Sequence, residues 1–133
     1  MNIEKHKERL KESIEVLDES ITKDITKRQR TISFNCSAEA SDFLEIYLHK
    51  NNLISPGFVV KHEWFKSPNK LKEKFTFDFP NKKEIIELMH KIEEKRNDLC
   101  YGSPQSEKII TEVILNFNKL KELFNKMGVS IEK

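Results

Sequence analysis

Glycine and proline, the residues that most reliably interrupt helices, number only three and four in 133 positions. Few reversals are therefore marked by composition, and long helices are permitted. The apolar pattern uses that freedom. From Ile3, the residues Leu10, Ile14, Leu17, Ile21 and Ile25 recur at steps of seven, four, three, four and four, with Lys, Arg and Glu between them. That spacing is one stripe of an amphipathic helix. A second apolar-periodic stretch runs from about Phe34 through Phe43, Leu44, Tyr47 and Leu48 to Leu53, and Ser55-Pro56-Gly57 stops it with turn-forming residues. Neither Gly nor Pro separates the two stretches. A reversal somewhere from Ile21 to Ser33 and one long bent helix are both open from the residues alone.

The segment from Phe58 to Lys83 reads as a long connection with a short helix, its aromatics pinned on a bundle; the alternation of Phe75, Phe77 and Phe79 leaves a small β-element as the alternative. Helical periodicity resumes after Pro80-Asn81 with Ile85, Leu88, Met89 and Ile92 and continues to Leu99. At Tyr101-Gly102-Ser103-Pro104, glycine suits the position after a helix, and Ser-Pro suits the N-cap and first turn of the next. Ile109, Ile110, Val113, Ile114, Phe117, Leu120 and Phe124 then form the stripe of a last helix ending near Met127-Gly128. The expected fold is all-α: an up-and-down bundle of four to five helices with a long, aromatic-rich central connection, in one domain over residues 1–133. Helices over about Lys83 to Tyr101 and Pro104 to Met127, joined by a very short turn, should make its firmest hairpin.

Charged residues make up 35% of the chain, yet 24 Lys and Arg nearly cancel 22 Asp and Glu, leaving +2. That balance, with 37% hydrophobic residues, argues against a disordered tail and gives no global basic signature of nucleic-acid binding, so any affinity for phosphate needs a local patch. Cys36 and Cys100 are far apart and neither belongs to a closely spaced Cys/His set, so they read as free thiols and no metal or cofactor is expected. The opening residues lack the apolar core of a signal peptide, and no apolar run is long enough to cross a bilayer. A cytoplasmic location without membrane partners is the expectation.

One stretch carries more information than periodicity. Ile92-Glu93-Glu94-Lys95-Arg96-Asn97-Asp98-Leu99-Cys100-Tyr101-Gly102-Ser103-Pro104 ends one helix and opens the next. It resembles the signature of HEPN (higher eukaryotes and prokaryotes nucleotide-binding) domains, in which an Arg, commonly followed by Asn, precedes a His by a few residues at such a junction. The stretch from Ser37 through Ala38, Ala40, Phe43 and Leu44 to Leu48 is similar to the family's early helix rich in small residues, so the resemblance spans about residues 30–127. It implies a homodimer with a shared cleft, an RNA or nucleotide ligand, metal-independent endoribonuclease activity of a toxin–antitoxin or defence type, and often a small nucleotidyltransferase as antitoxin partner. Carried over by position, Arg96 is the phosphate-contacting residue and Asn97 a positioning residue. Tyr101 stands where the motif has His. A phenol with a pKa near ~10 is a poor general base at neutral pH, so Tyr101 is expected to line the cleft or stack on a base, and the activity to be weak or lost. Cleavage would then need His62, His49 or His90 to fold into the cleft.

Other readings stand beside that one. Arg96 lies three residues after Glu93 near a helix C-terminus, where it can simply pair with the acid and the helix dipole in a non-catalytic dimeric interaction module, for instance the partner of a nucleotidyltransferase. The most basic local stretch holds Lys61, His62, Trp64 and Lys66, followed by Lys70, Lys72 and Lys74. With Trp64, Phe65 and Phe75 interleaved, it is a candidate to receive single-stranded nucleic acid, against the simpler reading of a solvated face. Lys27, Arg28 and Arg30 form a second basic run with the same two readings. Phosphate-binding Gly loops, nucleophile elbows and zinc-type His/Glu helices are absent from the sequence.

Overall fold

A computed structural model describes residues 3–129. Its helices are α1 (Ile3–Lys23), α2 (Gln29–Lys50), α3 (Pro68–Lys74), α4 (Lys82–Tyr101) and α5 (Glu107–Lys126), with a 3₁₀ segment at His62–Lys66. The described residues contain no strand, and the expected helical bundle with a long central connection is the fold observed.

The reversal between the first two stripes lies at residues 24–28. No glycine is needed, because the Asp24 carboxylate accepts hydrogen bonds from Thr26 N (3.0 Å) and Thr26 Oγ1 (2.7 Å), and Arg28 N bonds back to Ile25 O. An Asx-type turn of this kind substitutes a side chain for the missing backbone partners. The same bonds hold the Asp24 carboxyl below its ordinary range.

α2 is the axis of the bundle: α1, α4 and α5 all pack on it. Buried residues therefore occur nearly all round it, from Ile32 to Leu48. Phe43 stacks on Phe124 of α5 at 5.6 Å and meets Phe117 at 6.4 Å, while Tyr47 touches Phe79 and Phe124. The pairing of these positions makes α5 parallel to α2, as a chain that reverses from α4 to α5 requires.

The connection is pinned by its rings, as anticipated. Trp64, Phe65, Phe75 and Phe79 are buried, and Trp64 meets Phe58 and Phe75 edge-on. Phe75, Phe77 and Phe79 do alternate in burial with exposed Thr76 and Asp78, but the chain bends at Phe77 and forms no strand. Lys82 Nζ instead donates to the carbonyls of Phe75 (2.9 Å) and Phe77 (2.7 Å). The short helix expected in the connection is present as the 3₁₀ segment and, directly after it, α3; Ser67 caps α3 by accepting from Lys70 N, with Pro68 at its first position.

Two expectations at the α4–α5 junction need correction. Ser103-Pro104 does not start the last helix; Ser106 is the N-cap, its hydroxyl accepting from Ile109 N. Gly102 has φ −88°, so it is not the left-handed residue often found after a helix. Space is what requires glycine there, since a Cβ would sit 2.6 Å from Asp98 O.

Enveloping α2 also buries acids. Glu39 is fully buried, and neither carboxyl oxygen has a hydrogen-bond partner. Desolvation raises its pKa from 4.5 to about 8, only partly opposed by Lys121. Between those two values the native state holds a proton that the unfolded chain has released, so stability falls as pH rises through that window. By pH 7 the penalty is on the order of 3 kcal/mol at about 1.4 kcal/mol per pH unit. Glu39→Gln, which removes the ionisation, is expected to raise the melting temperature at pH 8 and to flatten its decline between pH 5 and 8. Parallel pH profiles for the two proteins in thermal unfolding would contradict this.

Candidate functional site: the seam between α2 and α4

α2 and α4 run antiparallel, and their facing side chains form successive rungs. At the first rung the Arg30 guanidinium lies 5.6 Å from the centre of the Tyr101 ring. At the second, the Arg96 guanidinium lies 5.3 Å from the centre of the Phe34 ring. At the third, Ser37 Oγ donates to Glu93 Oε2 at 3.3 Å inside the protein. Steps of four and three residues on α2, and of five and three on α4, line the rungs up along the contact between the two helices.

Arg96 does not pair with Glu93, although the two are three residues apart. Glu93 is buried and already occupied: Oε2 takes the Ser37 hydroxyl, and Oε1 lies 2.8 Å from His62 Nδ1. Among the described residues Arg96 forms no ion pair with any carboxylate; its Nε is buried without an acceptor and its cationic end rests on Phe34. Phe34 is 50% and Tyr101 66% exposed, unusual for large rings in a chain with this much buried aromatic surface. Cation–π contact holds a guanidinium in place without neutralising it, so its N–H edges stay available to phosphate oxygens.

The rungs are held by the junction that follows α4. Gln29, the first residue of α2, donates through Nε2 to Leu99 O and Ser103 O (3.2 Å each) and accepts from Gln105 N at 2.8 Å. This side chain ties the α4–α5 loop to the start of α2 and keeps Tyr101 beside Arg30.

Residues expected from sequence are distributed unequally. Arg96 and Tyr101 stand on the seam, and Asn97 is exposed on the next position of α4. Lys61 and Lys66 are exposed at either end of the 3₁₀ segment, but Trp64 between them is only 8% exposed. Trp64, Phe65 and Phe75 are spent in the core and offer no face for a base, so the basic stretch is not a stacking platform. Arg30 and Phe34 are the partners that sequence reading missed: Arg30 appeared only as part of a basic run, and Phe34 only as an apolar position. Both cysteines are free and buried, and burial raises the Cys36 thiol pKa.

His62 lies at the inner end of the seam. In front of it a groove of about 490 Å³ opens between α1, α2 and the connection, with Arg9 and Lys61 but also Glu12, Asp42 and Glu63 on its walls. His90 is turned elsewhere, with Nδ1 on Phe65 O at 2.6 Å, and His6 contacts Asp42 (3.2 Å) and Glu45 (2.5 Å) between α1 and α2. No cluster of three or more His, Cys, Asp or Glu able to hold a metal ion occurs among the described residues, and no helix among them is long and apolar enough to cross a membrane.

Two substitutions test how the junction is held. Gln29→Ala removes three hydrogen bonds and should cost about 1–3 kcal/mol in urea unfolding, with faster amide exchange at Gln105; an unchanged Gln105 amide would show that the loop is held otherwise. Gly102→Ala forces the end of α4 to give way against Asp98 O and should cost about 1–3 kcal/mol, whereas a neutral change would mean that the helix end yields freely.

No protein-family model, curated protein or solved structure matches this chain, so what the seam can do rests on its own side chains.

Proposed function

We propose that the chain is an RNA- or nucleotide-associated protein of the HEPN kind, acting as a homodimer, with the exposed rungs of the α2–α4 seam as its binding face. The observation that carries this reading is Arg96: a guanidinium at the motif position, without a carboxylate partner, laid on an exposed ring. Arg30 and Tyr101 repeat the arrangement one helical turn away. Two uncompensated cations beside two rings with exposed surface match what single-stranded nucleic acid presents, a phosphate and a base face per nucleotide. Arg96 and Arg30 would fork onto phosphate oxygens; Phe34 and Tyr101 would carry stacked bases; Asn97, exposed beside them, would orient the strand. A toxin–antitoxin or defence setting, with a nucleotidyltransferase-type antitoxin, belongs to the same proposal and is supported by the motif resemblance.

A second reading draws on the same exposed Phe34 and Tyr101. Rings left in water on one face also suit a contact between protein subunits, and the chain would then be a dimeric interaction module in which Arg96 only stabilises the interface.

Fluorescence anisotropy with a labelled single-stranded RNA, read at several salt concentrations, separates the two. The Arg30→Ala/Arg96→Ala double variant is expected to bind at least ~10-fold more weakly and to lose about 1.4 from the slope of log K against log salt, ~0.7 for each phosphate contact. Phe34→Ala should cost about 1–3 kcal/mol of binding. Unchanged RNA affinity combined with a shift from dimer to monomer in sedimentation would favour the interaction module instead.

A further inference from the structure

Among the described helices, α1 packs on α2 and on no other. The turn at residues 24–28 is its covalent tie to the rest, so α1 can leave without disturbing the packing of α2 against α4 and α5. We propose that α1 is a proton-held arm, docked on α2 while two buried acidic clusters keep their protons and released as rising pH removes them.

The first cluster lies at the start of α1. His6 is 4% exposed and stands between two acids of α2: its Nδ1 is 3.2 Å from Asp42 Oδ1, and its Nε2 is 2.5 Å from Glu45 Oε2. A neutral imidazole has one N–H, and a carboxylate can only accept. Two carboxylates against its two nitrogens therefore require one further proton, on the ring or on an acid. Glu45 cannot turn away, because its other oxygen accepts from Val60 N at 2.6 Å. Burial, with Glu45 beside it, raises the Asp42 carboxyl more than His6 and Arg9 lower it.

The second cluster surrounds Glu39, fully buried with neither carboxyl oxygen partnered. The charges that act on it are Lys121 of α5, Asp18 of α1 and, on α2 itself, Asp42. One cation does not offset two acids and the loss of water. The Cys36 thiol, one position short of a helical turn away, is buried and raised as well, so it adds no charge of its own. A carboxyl in such a place is tolerated only with its proton.

Once α1 has left, water reaches both clusters and the extra protons are no longer needed. Docking therefore takes up protons, and for each one taken up it weakens tenfold per unit rise in pH. For Glu39 that window runs from 4.5 to about 8. Release carries Arg9, Glu12 and Ser13 out of the wall of the groove in front of His62, and bares the side of α2 on which Leu10, Ile14 and Leu17 are buried. Neither cluster shares a residue with the rungs of the α2–α4 seam, so the arm does not depend on what the seam binds.

Amide hydrogen exchange on the full chain, expressed as protection factors so that the intrinsic pH dependence of exchange drops out, tests the arm directly. Protection of α1 is expected to fall at least ~10-fold per pH unit between about pH 5.5 and about pH 7.5, while α4 and α5 keep theirs. E39Q, neutral at every pH, should hold α1 more tightly above neutral pH and lower that slope by about one proton. D42N should lower it through the other cluster. The wild-type series decides the matter even where a variant unfolds. Protection of α1 that does not change with pH, loss of protection in α1 and α5 together, or a slope unaltered in either folded variant each overturns the arm.

Discussion

A carboxylate inside a helical bundle must find donors or keep a proton, and that constraint organises this molecule more than any other. α2 buries Glu39 and Glu45, and α4 buries Glu93. Glu45 draws in the Val60 amide at 2.6 Å and His6 from the start of α1. Glu93 draws in Ser37 and His62. Two of the three acids therefore fasten segments that helix packing alone would leave loose: the first turns of α1, and the connection where it enters the 3₁₀ segment. Glu39 recruits nothing and keeps its proton instead. The same residue type, equally buried, reaches two different resolutions because only some positions face a segment that can supply a donor.

The engagement of Glu93 has a consequence for Arg96. In an isolated helix an acid three residues before an arginine would attract it and neutralise its charge. Here the acid is turned inward and occupied, so the cation is left to the aromatic ring across the seam. The interior network thus decides that the outer rung stays positively charged. A half-exposed Phe34 leaves on the order of 1 kcal/mol of burial unrealised, a cost that packing alone does not explain and that the guanidinium above it only partly offsets.

How much of this was legible in the residues varied with the kind of signal. α4 and α5 each bury one face, so their stripes could be read directly, within a few residues at each end. α2 was visible as a helix, but being buried nearly all round it has no single stripe, and Phe34 was assigned to the interior because periodicity could not say otherwise. The turn at residues 24–28 left a trace that was overlooked: Asp24 two positions before Thr26 is an Asx-turn pattern, and a search for glycine or proline passes over it. In the connection, the alternation of Phe75, Phe77 and Phe79 marked which side chains turn inward, but the chain bends at Phe77 and the Phe75 and Phe77 carbonyls go to Lys82, a contact that no local rule encodes.

The site shows the same division more sharply. Arg96, Asn97 and Tyr101 share one short stretch, and a local motif could single them out. Arg30 and Phe34 lie more than sixty residues earlier, and His62 thirty-one residues before Glu93, so their placement is a property of topology. Once α2 and α4 are antiparallel, the sum of facing residue numbers is nearly constant: 30 with 101, 34 with 96, 37 with 93. That register converts a weak motif into a surface, because any residue of α2 at the right height becomes a neighbour of the motif whatever its distance along the chain. His62 joins by a different route, through a buried acid rather than through register. An interior carboxylate on α4 thereby fixes the place of a side chain from a segment that neither helix register nor local sequence pattern would bring there.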